Sequence, residues 1–91
     1  MEDKKYISID ECCSYYSIET SFVQSLNERG LIQLVQQNEA FTIEYEQLSL
    51  LEKYMHMHYD LEVNLEGIEV ISHLLEKVTA LQAELLAIRN A

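Results

Sequence analysis

A chain of 91 residues with 6 Lys and Arg against 16 Asp and Glu carries a formal net charge of -10. That balance repels polyanions and leaves too few cations for the phosphate neutralisation on which DNA affinity rests. The length suits a single domain, expected over 1–91 as a head (1–60) and a long helix (61–91), with a modest core that leans on a partner chain. No apolar run approaches the ~20 residues a bilayer requires, and Met-Glu-Asp-Lys-Lys leads into no signal-type segment, so a cytoplasmic protein with no membrane partner is expected.

The fold class expected is mainly α, with a small wing. Ser8-Ile9-Asp10-Glu11 fits a capping box, in which the Ser8 hydroxyl accepts from an amide of the first turn, and starts a short helix at Ile9 that ends near Tyr16. Ile7, Ile9, Cys12 and Cys13 supply its apolar side. Ser17-Ile18-Glu19-Thr20 is a polar break, and Phe22, Val23 and Leu26 carry helical spacing to a stop at Gly30. This is the layout of a helix-turn-helix, yet between Tyr6 and Leu50 Arg29 is the only Lys or Arg. It falls in a last helical turn, where a cation offsets the helix dipole.

Leu31 to Val35 reads as a strand, Gln36 to Glu39 as a turn, and Phe41, Ile43 and Tyr45 alternate with polar residues as a second strand, giving a hairpin or wing. From Tyr45 the period becomes helical through Leu48, Leu51, Met55 and His58, to about Tyr59. Asn64 is a good N-cap, with Val63 and Ile68 placed as a hydrophobic staple, and nothing interrupts the helix from Leu65 to about Asn90.

A rod of that length exceeds what a head this small can cover. Ile71, Leu74, Val78, Leu81, Leu85 and Ile88 recur in steps of three and four, a heptad seam for a homodimer, with Leu75 widening the stripe toward the head. The other reading of the same stripe is an amphipathic helix folded back on its own core. Glu66, Glu69, His73 and Glu76 form a separate stripe roughly 150° away.

Catalytic and metal chemistry find little support. Cys12 and Cys13 are adjacent, which disfavours a bridge between them and gives no zinc-ligand spacing. His56 and His58 point to different faces of a helix, and Asp60 pairs only with His56. Phosphate loops, nucleophile elbows and HExxH patterns are absent, so no enzyme, no cofactor and no metal site are expected. The six tyrosines suit either a contact surface or the edge of the core, and spacing gathers them into no single patch.

Tyr6-Ile7-Ser8-Ile9, the break at Ser17-Ile18, Arg29-Gly30-Leu31-Ile32, the wing and the later helix together resemble the winged helix-turn-helix of MerR-type regulators. Those regulators place Arg followed by an aromatic residue in the second helix, where this chain has Gln24 and Ser25, and further Arg and Tyr in the wing, where it has Phe41-Thr42. A closer resemblance is to the chaperone-modulator family CbpM, carried by Leu61-Glu62-Val63-Asn64-Leu65-Glu66-Gly67-Ile68-Glu69-Val70-Ile71 and the Leu-rich tail after it. That resemblance implies a partner, the J-domain of a CbpA/DnaJ-like co-chaperone, whose work with the Hsp70 DnaK is restrained. It implies no nucleic-acid partner. The acidic residues expected to meet a basic J-domain helix are Asp60, Glu62, Glu66, Glu69 and Glu76. The alternative function is a MerR-type transcription regulator with weak or partner-dependent DNA binding.

Overall fold

The computed structural model describes residues 4–90. The elements run β1 (Tyr6–Ser8), α1 (Ile9–Tyr16), α2 (Thr20–Glu28), β2 (Leu34–Gln37), β3 (Ala40–Glu44), a 3-10 turn (Tyr45–Gln47), α3 (Leu48–Met55), a π turn (His56–Asp60) and α4 (Leu65–Arg89). The Ser8 hydroxyl caps α1, accepting from the Glu11 amide at 3.1 Å. Ser17 closes the helix in the left-handed region at φ 58, and Gly30 does the same after α2 at φ 74, where the missing side chain removes the usual penalty.

The wing differs from the sequence expectation in two ways. First, it belongs to a three-stranded antiparallel sheet of order β1-β3-β2, because Tyr6–Ser8 pairs with Thr42–Glu44. Second, Leu31 and Ile32 are not strand residues. The Leu31 amide bonds back to the Leu26 carbonyl at 2.9 Å, and both side chains are buried in the core. Side chains satisfy the backbone that follows: Asn27 Oδ1 accepts from the Leu34 amide and Gln47 Oε1 from the Gln33 amide. Asn38 and Glu39 form the two-residue hairpin loop with positive φ at both positions, as the twist of such hairpins favours. Of the alternating trio only Ile43 points inward, while Phe41 and Tyr45 are exposed.

One core joins the head. Cys12 and Cys13 of α1, Phe22, Val23 and Leu26 of α2, Ile43 of β3 and Leu51 and Tyr54 of α3 pack together, and Ile68 is the one buried residue that α4 contributes. Both thiols are free. Burial pushes the Cys12 thiol up to about 11 and the Cys13 thiol up as well, so neither is a ready nucleophile.

α4 leaves the head through a tight joint. The π turn ends at Leu61, whose amide donates to the His56 carbonyl, and the Val63 amide donates to the Met57 carbonyl. Glu62 between them is left-handed at φ 57. His58 Nδ1 lies 2.9 Å from the Val63 carbonyl, which can only accept, so that nitrogen carries the proton. Asn64 caps α4, its Oδ1 accepting from the Gly67 amide at 2.7 Å. Gly67 is a packing glycine: a Cβ there would stand 2.8 Å from Val63 Cγ1 and 3.1 Å from Asn64 Oδ1.

Helix propensity alone favours Gly67→Ala by about 1 kcal/mol. The β-branched Val63 cannot swing aside without loosening the joint, so the expected outcome is the reverse: a loss on the order of 1 kcal/mol in urea denaturation. A stabilised variant would show that the Val63 contact relaxes freely.

Beyond the joint the helix does not fold back over the head. Residues 73–90 are all exposed, and the 25 residues of α4 form a rod of about 37 Å. No helix of the described residues is long and apolar enough to cross a membrane.

Candidate functional site

Three surfaces compete for function, and the first is the face on which a helix-turn-helix would read DNA. The exposed positions of α2 are Thr20, Ser21, Gln24 and Glu28, and the wing offers Gln36, Gln37, Asn38 and Glu39, none of them a cation. Arg29 follows α2 but is engaged elsewhere, with Nη1 donating to Glu69 Oε1 of α4 at 3.4 Å. Its part is therefore to tie α2 to α4, rather than simply to offset the helix dipole. Lys4 lies 3.8 Å from Glu44.

The second surface is α4. The six seam residues share one side, and five of them, Leu74, Val78, Leu81, Leu85 and Ile88, are 48–73% exposed. Ile71 is half-buried. At 100° per residue this side lies roughly a quarter-turn from Ile68, which faces the core. The single chain thus displays its heptad residues to solvent.

The acidic residues expected to meet a partner do not form one uniform stripe. Asp60 is held by His56, with Nδ1 to Oδ2 at 2.7 Å. Glu69 is paired with Arg29. Glu76 faces a groove between α3 and α4 that also holds Arg29 and Lys53. Glu62 sits in the joint and is exposed, as is Glu66 in the first turn of α4.

The third surface gathers tyrosines that the sequence left scattered, together with Asp60. Tyr15 and Tyr16 at the end of α1 stack at 5.0 Å with rings nearly parallel, and Tyr15 is 74% exposed. The Tyr16 hydroxyl donates to Glu52 Oε2 of α3 at 2.9 Å. Tyr16, Glu52, Met55, His56, Tyr59 and Asp60 border one concavity. Burial, with the Glu52 carboxylate next in weight, pushes the Tyr16 phenol up to about 12, so the phenol keeps the proton that it donates. Tyr59 is pushed up by burial and packs edge-on to Phe22 and His58. Sequence spacing left the tyrosines scattered because Tyr16 and Tyr59 come to one concavity only through the packing of α1 beside α3 and the π turn that follows it.

No cluster of three or more His, Cys, Asp or Glu that could hold a metal ion occurs among the described residues. Comparison with the curated proteins and with the solved structures gives no match. Comparison with protein-family models gives MerR_2, described as MerR HTH family regulatory protein, over residues 7–90. The match takes in the helix-turn-helix, the wing and α4 together, in keeping with the winged arrangement. By that match and that architecture, the chain belongs to the MerR HTH family of regulatory proteins.

Proposed function

We infer that this protein is a chaperone modulator: it binds the J-domain of a CbpA/DnaJ-like co-chaperone and restrains the stimulation of Hsp70 (DnaK). The observation that carries the reading is the DNA-reading face. A MerR-type scaffold survives there, while the exposed side of α2 and the wing bear no cation and Arg29 is spent on Glu69. A family scaffold that has lost its phosphate contacts has a protein for a partner, and a net charge of -10 selects a basic one. The resemblance of the Val63-Asn64-Leu65-Glu66-Gly67-Ile68 segment to the CbpM family supplies its identity. Inhibition then requires only that the surface a J-domain offers to Hsp70 be covered, with complementary charge raising the rate of encounter. The active species is a two-fold homodimer joined along α4, and the protein works in the cytoplasm without catalysis or cofactor.

Calorimetric titration into a CbpA-type J-domain at about 50 mM and 300 mM salt should show binding that weakens with salt, alongside a loss of J-stimulated Hsp70 ATPase activity. A mobility-shift assay with duplex DNA at micromolar protein and about 150 mM salt should show no complex, where non-specific binders reach roughly 10⁻⁴–10⁻⁶ M. No heat with the J-domain and unchanged ATPase activity would refute the modulator reading, and a clear DNA complex would put a transcription regulator in its place.

A further inference from the structure

The proposed function leaves open where a basic partner lands, and the acidic stripe on α4 is a poor answer. Glu69 is tied to Arg29, Glu76 shares its groove with Arg29 and Lys53, and Lys77 lies on the same side one turn beyond His73.

The concavity between α1 and the end of α3 differs in each respect. Its volume is about 390 Å3, and no Lys or Arg lines it. Its two carboxylates, Glu52 and Asp60, are oriented in advance by the Tyr16 hydroxyl and by His56. Tyr59, 46% exposed, lines it, and Tyr15, 74% exposed, stacks on the Tyr16 ring that forms another part of its wall. Exposed aromatic rings beside fixed carboxylates form the chemistry that holds a cationic side chain, since the ring face attracts the charge and the ring covers the aliphatic stem.

We propose that this surface is the docking site for a Lys/Arg-rich amphipathic helix of the partner, with the Tyr15, Tyr16 and Tyr59 rings as anchors and Glu52 and Asp60 as the ion-pair acceptors. The assignment rests on the modulator reading for the identity of the partner, but not for its chemistry. A helix presents cations at i and i+4 on one side, and both carboxylates border the one concavity that such a side would face. An acidic partner is repelled by the same pair. None of the residues that line the site belongs to the α4 seam.

Three variants test it: the double substitution Glu52→Gln with Asp60→Asn, which removes charge but keeps the hydrogen-bonding groups; Tyr15→Ala, which removes a ring that is not part of the core; and, as control, Glu66→Gln with Glu84→Gln on α4. Each is titrated into the J-domain. The wild type is also titrated with a helical peptide of alternating Leu and Lys turns while NMR follows the ring protons of Tyr15 and Tyr59. Losses of about tenfold in J-domain affinity for the first two, against less than about twofold for the control, are expected. A loss confined to the control overturns the assignment and leaves the modulator reading standing. If the J-domain does not bind but the Lys-rich peptide shifts both rings, and the Glu52/Asp60 variant abolishes those shifts, the modulator reading falls and the docking site holds. Rings unmoved by the peptide, with J-domain affinity unchanged in the first two variants, overturn the site.

Discussion

Replacing Val78 and Leu85 with Asp should turn the proposed dimer into a folded monomer. These side chains are 48% and 59% exposed in the single chain, so the head tolerates charge there; a second copy does not. Covering the six seam residues would contribute on the order of 1 kcal/mol for each half-exposed side chain on each helix, enough for a dimer at micromolar concentration after the cost of association. Two carboxylates buried without partners in every copy outweigh that gain. Light scattering at tens of micromolar should report about twice the chain mass for the wild type and the chain mass for the variant. Retention of the cooperative thermal transition would show that the head is intact. A wild type already monomeric under those conditions would remove the dimer from the proposed function.

Ile68→Ala should be the most damaging single truncation in α4. Ile68 is fully buried and is the only residue of the helix that is. It belongs to the same core as Leu51 and Tyr54 of α3 and Phe22 of α2. Removing three carbons from such a site costs about 2–5 kcal/mol, and Ile68→Val about 0.5–1.5 kcal/mol, a large part of the stability of a domain this small. Chemical denaturation should rank the two in that order. Equal and small effects would mean that α4 is held mainly by the hydrogen bonds of the joint and by Arg29 to Glu69.

How legible these features were in the sequence depended on how local their causes are. Ser8, Gly30 and Asn64 act within one turn of their own position, and each marks its helix end where the sequence placed it. The α4 heptads were equally plain, because a period of three and four needs no knowledge of the neighbours. β1 was missed since Tyr6–Ser8 is too short to show alternation and exists only through its pairing with β3. Leu31 and Ile32 have strand-like side chains, but they turn inward because Gly30 and the bond to Leu26 fix the chain there before the sheet begins. The acidic residues were visible as a composition. Their partners were not: Arg29 and Glu69 are 40 positions apart, and Tyr16 and Glu52 are 36 apart. Charge at a site is a sum over neighbours that only the fold assembles.

The joint at His56 to Asn64 has one more consequence. Apart from the Ile68 contact, the Arg29 pair and the Tyr54 to Ser72 hydroxyl approach at 3.5 Å, the rod is governed from this one end. A rigid arm of about 37 Å converts a pivot of some 10° into a sweep of about 6 Å at its tip. The left-handed Glu62 and the His58 to Val63 bond therefore act as the bearing of a lever: small changes in their geometry would swing the tip of the arm, and in the proposed dimer they would reset the spacing of the two heads.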